Sequence, residues 1–359
     1  MSENKFPRWL YWGLLVTFIT VNGYFWFPVF RYLRPTLTSI AIAALLAFLL
    51  NYPVRLFISW KFKRSYAVGV VFLLALLTLG TITLTLLPLL LAQLNEFGRR
   101  LPSWISSGSQ QLKTFEIWAT NKNLPFNVSA LIIQLEERFA TEANLLPTYI
   151  VNFVIGAFDS SLELLITIVL TFYLLLHGES FWSGIWQWLP NNWGDRLESS
   201  LKQSFQNYFI GQVTIALLMG LTITTAFLLL KVPFGLLFGL GIGALVLIPF
   251  GDILGIVSVS LLVALKSVWL GGEVLVVATI IDQAIDQALA PRIFGSLVGL
   301  NPVWIIIALL LGAKLGGVLG LVLAVPLAGA IVNIIDNWRV SVANSKQDNS
   351  VTVIDTKEV

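Results

Sequence analysis

What most limits how this chain can fold is a succession of apolar runs, each about as long as a bilayer is thick. Residues 9–30, 36–58 and 66–91 are three of them, and others follow near 146–176, 206–230 and 271–289. A helix needs about 20 consecutive apolar residues to cross the hydrocarbon core. These runs are continuous rather than alternating, which selects helices over the strands of an outer-membrane barrel. Charged residues make up 11% of the chain and mean hydropathy is +0.84, whereas a soluble domain is about 25% charged. The sequence therefore predicts an all-α, polytopic transmembrane helical bundle of about eight membrane segments. The run at 9–30 exceeds a signal-peptide core and has no small-residue cleavage site, so it reads as a retained span.

Several chemistries are excluded at once. There is no cysteine, hence no disulfide, thiolate metal site or cysteine nucleophile. The net charge is +3, with the basic residues at span ends, so there is no footprint for nucleic acid. His177 is the one histidine; it sits at a span end, without partners for a Ser-His-Asp triad. Neither HExxH nor GxxxxGK[ST] occurs, so zinc proteolysis and P-loop ATP hydrolysis lack their motifs. The reading is a non-enzyme with no metal and no organic cofactor, moving a small-molecule or ion substrate through the lipid bilayer by a gradient or passively.

Four regions follow: transmembrane spans over 1–92, an extramembrane helical arm over 93–146, a transmembrane transport region over 147–335, and a disordered charged tail over 336–359. The basic cluster Arg55, Lys61, Lys63 and Arg64 is expected on the cytoplasmic side. That places both termini in the cytoplasm of an inner-membrane protein, although Arg31 and Arg34 then fall outside. The C-terminal third holds two long apolar segments, 233–265 and 302–335, each broken by glycine or proline. Each is too long for one span, and each half is short for a full one. They are either paired full spans or re-entrant helical hairpins. As hairpins they enter from opposite sides, as in transporters built from inverted repeats.

The polar residues inside these segments are the site candidates, because a carboxylate in a membrane is costly and marks a path or site. Asp282 and Asp286, with Gln283 and Gln287, form two adjacent stripes at i, i+4 spacing on a helix. Asp252 falls at the expected tip of the first broken segment. Asn207 and Gln212 carry amides near the start of a span, Asn301-Pro302 opens the second broken segment, and Lys314 lies within it. Pro249 and Gly251, next to Asp252, are counted with it on the substrate or ion path, whereas Pro291, Gly316, Gly317 and Pro326 read as hinges or turns. Gly241 and Gly243 permit close helix approach or a pliable backbone.

Read in order, several short motifs are shared with one known family: NYFIGQ (207–212), LGIGALVLIPFGDILG (240–255), Asp286-Gln287 followed by LAPRIFG (289–295), VGLNP (298–302), GAKLGGVLG (312–320) and AVP (324–326). On these the chain resembles the autoinducer-2 exporter family of bacterial membrane proteins over most of its length. It departs from the family pattern at Asp286-Gln287, where Glu-Asn is commoner, at Gly251-Asp252, and at Ile210, where arginine is frequent. The resemblance implies a permease that exports a small polar solute or signal molecule across the inner membrane, as a homo-oligomer, with a pentamer the arrangement expected. Two alternatives stand beside it: sodium(lithium)/proton antiport through Asp252, Asp282 and Asp286, and a non-transporting assembly protein that docks through residues 93–146.

Overall fold

The computed structural model describes residues 8–122, 161–187, 193–289, 291–292 and 302–355. Backbone groups in lipid have no water to bond and must be satisfied within the chain, which favours helices. The described residues form eight: α1 (Arg8–Ser59), α2 (Arg64–Asn121), α3 (Ser161–Trp186), α4 (Trp193–Leu229), α5 (Gly235–Leu245), α6 (Gly251–Lys266), α7 (Val268–Ala288) and α8 (Pro302–Asp355). Six contain stretches long and apolar enough to cross a membrane, and α5 is a shorter apolar helix. This is the all-helical membrane bundle that the apolar runs predict.

The first two apolar runs differ from expectation in one respect. They form one continuous helix, which passes through Pro28, Pro35 and Pro53 without a turn. Proline removes a backbone donor but need not end a membrane helix when nearby hydroxyls bond the surrounding carbonyls. Here Thr38 Oγ1 donates to the carbonyl of Arg34 (2.8 Å) and Ser39 Oγ to that of Pro35 (3.2 Å).

Residues 93–121, read from sequence as the start of an extramembrane arm, continue α2. With 58 residues, α2 is about 87 Å long at 1.5 Å per residue, so part of it must leave a bilayer core of about 30 Å. Its distal half turns an apolar face, Phe97, Leu101, Trp104 and Ile105, into the same core as α4, α5, α6 and α7. The remainder of the predicted arm, 123–146, lies outside the described residues. Helix α8 is helical to Asp355 and so takes in most of the charged C-terminal segment.

Helix α4 stands at the centre and packs on α5, α7, α8, α1 and α3. Its tightest crossing is with α5. Small residues recur every fourth position on both helices: Ala216, Gly220 and Thr224 on α4; Gly235, Gly239 and Gly243 on α5. A Cβ added to Gly243 would stand 2.5 Å from the Gly220 Cα, and one on Gly239 would meet Thr224. Lipid offers no hydrophobic drive between helices, so such small-xxx-small faces let backbones approach and gain dispersion energy.

Both broken segments are helical hairpins. The first consists of α5 and α6, of 11 and 16 residues, hence roughly 17 and 24 Å long; neither crosses a bilayer core. Each arm opens on the same tripeptide, Pro233-Phe234-Gly235 and Pro249-Phe250-Gly251. Both phenylalanines are left-handed, with φ of 59° and 63°, a conformation costing about 1–3 kcal/mol for a non-glycine residue. Packing holds the first in place: Phe234 lies 5.5 Å from Phe97 and 5.8 Å from Trp104 between ring centres. Gly251 is required by space, since a Cβ there would run into the Leu245 carbonyl.

The second hairpin lies within α8. Its backbone breaks at Gly317 (φ 62°, ψ −137°), and beyond the break the chain folds back on itself. A Cβ on Gly312 would meet the Gly320 carbonyl, and one on Gly320 the Gly312 carbonyl. In a straight helix residues eight apart are separated by about 12 Å. The Arg34 guanidinium stands over the break, 3.1 Å from where a Gly317 Cβ would lie. Ile305 and Leu309 of the first arm and Val325 of the second pack with Tyr208 and Phe209 midway along α4. The α5–α6 hairpin follows the end of α4.

The glycine crossing yields a direct contrast. Gly243→Ala forces α4 and α5 apart and should lower the melting temperature in detergent, by about 1–3 kcal/mol of stability. Gly241→Ala, with nothing within 4 Å of its new methyl, should leave it unchanged or raised.

Candidate functional site: a carboxylate trio at the hairpin tip

The turn between α5 and α6 brings Asp252 beside α7. There Asp252, Asp282 and Asp286 each offer a carboxylate oxygen, and the three oxygens lie within 4.8 Å of one another. Asp282 is 5% exposed. Its Oδ1 is buried with no hydrogen-bond donor, while Oδ2 accepts from Gln283 Nε2 at 3.4 Å. Asp286 is exposed one turn further along, and Asp252 is half-buried. Asp252 lies in the first turn of α6, where the positive end of the helix dipole favours negative charge. Its Oδ1 accepts from the backbone N–H of Ile253 at 2.8 Å.

A polar chain leads from the surface to the buried member. Gln287 Nε2 donates to Gln283 Oε1 at 3.1 Å, and Gln283 donates on to Asp282. The i, i+4 stripes read from sequence thus become one connected ladder on α7. Three carboxylates this close repel one another strongly when all are ionised, so the arrangement suits a bound cation or shared protons.

Glutamine side chains hold the hairpin that carries Asp252. Gln212 Nε2 donates to the Val246 carbonyl at the C-terminal end of α5. Gln93 Oε1 accepts from the Leu237 N–H in the first turn of α5 (3.1 Å). Gln111 bridges the α6–α7 corner, donating to the Leu265 carbonyl (3.0 Å) and accepting from the Val268 N–H (2.9 Å). Gln212 is among the residues singled out from sequence; Gln93 and Gln111 are not, because in an apparently extramembrane arm they read as solvated.

The other sequence candidates divide by position. Pro249 and Gly251 build the tip itself. Gly243 forms the α4–α5 crossing, whereas Gly241 faces open space. Asn207 is half-buried on α4, five residues before Gln212. Lys314, Gly316, Gly317 and Pro326 belong to the second hairpin, away from the trio; Gly317 is its break and Pro326 is buried. Lys314 is exposed and forms no ion pair among the described residues. Pro291 is exposed in the short described stretch 291–292. Asn301 lies outside the described residues, and Pro302 opens α8. His177 is exposed and stacks on Tyr173.

Broken helices meeting an intramembrane carboxylate site, in a bundle of spanning helices, define a multi-pass membrane transporter. Comparison with known proteins agrees. Residues 14–340 match the profile of the AI-2E family transporters, and the chain belongs to that family. It is 41% identical over 317 residues to a Synechocystis sp. protein provisionally named a transport protein, covering 87% of this chain and 80% of the relative. A second such Synechocystis sp. protein is 34% identical, covering 92% and 96%. The transport protein YueF of Bacillus subtilis, also provisionally named, is 24% identical over 87% and 88%.

The Gln212 contact makes a testable claim about the tip. Gln212→Leu leaves the Val246 carbonyl unpaired, which should cost about 1–3 kcal/mol. Hydrogen exchange should accelerate at residues 246–252 and not at α1. Unchanged exchange there would show that the amide does not hold the tip.

Proposed function

We propose that this protein is a secondary transporter that exchanges a monovalent cation for protons at Asp252, Asp282 and Asp286. The observation that carries this reading is the buried Oδ1 of Asp282, which has no donor, on a carboxylate clustered with two others. A buried ionised carboxylate without a partner is costly. Either a proton or a cation relieves that cost, and the two compete for the same oxygens. Competition for one site is what couples the two flows. The hairpin supplies the moving part: Asp252 sits on a turn between two short helices, so a small displacement of the tip opens or closes the trio.

This favours antiport over export of a polar organic solute, because among the described residues the site gathers carboxylates and amides but no basic group. The residues of the trio would alternate between a protonated and a cation-loaded state, with the cell's plasma membrane holding the driving gradient. A sodium-sized cation fits three oxygens that can converge from within 4.8 Å.

The test uses the whole protein in proteoliposomes with an internal pH-sensitive dye. A sodium or lithium pulse should move protons in the opposite direction. Asp282→Asn should abolish this exchange, and Lys314→Gln should leave it intact. Proton flux in Asp282→Asn equal to wild type, or no cation-dependent flux from folded wild-type protein, contradicts the proposal.

A further inference from the structure

The α5–α6 hairpin uses one tripeptide twice, and the two copies are held very differently. Pro233-Phe234-Gly235 and Pro249-Phe250-Gly251 share their sequence and a left-handed phenylalanine. A non-glycine residue keeps that conformation where its surroundings over-determine it. Phe234 meets this condition. Its ring packs against Phe97, Trp104 and Phe238, and Gln93 of α2 ties down the Leu237 N–H in the same turn. The first bond of α5, from the Phe238 N–H to the Phe234 carbonyl, is an ordinary 3.0 Å.

Phe250 lacks these supports. It is 51% exposed, and no aromatic ring among the described residues packs on it. The first bond of α6, from the Leu254 N–H to the Phe250 carbonyl, is stretched to 3.4 Å, beyond the usual range of about 2.7–3.2 Å. The Ile253 N–H is taken by the neighbouring Asp252 carboxylate. Gly251 lies against the Leu245 carbonyl, a contact inside the hairpin itself. Among the described residues no hydrogen bond joins this turn to a helix outside the hairpin. Packing resumes at Gly255, where an added Cβ would stand 3.2 Å from Ile242 Cγ1. One turn is clamped to α2; the other is free to rearrange, and it carries Asp252.

We propose that Phe250 is a positioning residue for Asp252. While Phe250 stays left-handed, the first turn of α6 is wound and Asp252 stands with Asp282 and Asp286. When it leaves that conformation, residues 250–254 unwind and Asp252 withdraws from the trio. Glycine would hold the left-handed conformation without the steric cost, so phenylalanine keeps the wound state from being permanent. A site that loads and releases needs both states within reach. The movement follows from the turn's own geometry; only its purpose, loading and releasing a cation, rests on the function proposed above.

The chain has no cysteine, so Ile253→Cys and Ile280→Cys, at exposed positions of α6 and α7, give two unique sites for spin labels. Pulsed electron–electron double resonance on the full chain in nanodiscs should show two distances, one for each state of the turn. Phe250→Gly and Phe250→Asn, which accept the left-handed conformation, should raise the wound-to-unwound ratio about tenfold. Phe250→Val, a poor fit to that conformation, should shift the ratio the other way. Phe234→Gly should lower the melting temperature and leave the distances unchanged. A distribution that is the same in wild type, Phe250→Gly and Phe250→Val overturns the proposal, as do equal shifts from glycine and valine. Sodium should favour the wound state. Distances that follow residue 250 but ignore sodium uphold the hinge and contradict the cation site instead.

Discussion

A helix that stops inside a membrane protein leaves up to four N–H groups unpaired at its N-terminus and up to four C=O groups at its C-terminus, and lipid satisfies none of them. The α5–α6 hairpin has four such ends, and the rest of the bundle is arranged to meet them. Gln93, Gln111 and Gln212 reach from α2 and α4 to the start of α5, the α6–α7 corner and the end of α5. Ser267 caps α7, accepting from the Leu270 N–H at 3.4 Å. The second hairpin is handled differently: Gly317 makes the break, close backbone contact between Gly312 and Gly320 joins the arms, and the Arg34 cation stands over the carbonyl end of the first arm, where the helix dipole is negative.

Supporting these ends allows a carboxylate to sit on a turn within the bundle. Asp252 reaches Asp282 and Asp286 because the Gly239 and Gly243 crossing seats α5 against α4, and because Gly251 lets the chain turn beside the Leu245 carbonyl. The left-handed Phe234 and Phe250 are the conformational cost of this construction. The first is offset by an aromatic cluster with Phe97, Trp104 and Phe238, so the distal half of α2 stabilises the transport region through the very face that looks like part of a separate arm.

How much of this is legible in the sequence depends on the kind of signal. Apolar run length predicts the helical bundle, and the glycine breaks at 251 and 317 mark both hairpins, because segment length and broken periodicity are local properties. The i, i+4 spacing of Asp282 with Asp286 and of Gln283 with Gln287 likewise predicts the ladder on α7. The convergence of Asp252 on that ladder is tertiary: it needs the turn at Pro249-Phe250-Gly251 and the docking of α5. The division into runs at 9–30 and 36–58 misleads, because Pro28 and Pro35 are tolerated inside one continuous membrane helix. Arg34 misleads too, since by charge counting it is a misplaced interfacial residue and in the fold it attends a helix break. The four-residue spacing of Gly220 and Thr224, matched to that of Gly235, Gly239 and Gly243, is a local signal of the α4–α5 crossing that only the folded pairing makes specific.

In the proposed exchange, the buried Asp282 carboxyl trades a proton for a cation. Infrared difference spectroscopy on the protein in lipid, comparing sodium-loaded with sodium-free states, reads that exchange without requiring transport. Sodium should remove a protonated-carboxyl C=O stretch and add carboxylate bands, and Asp282→Asn should abolish both changes. A sodium difference spectrum without carboxyl signals, or one unaltered by Asp282→Asn, would contradict it.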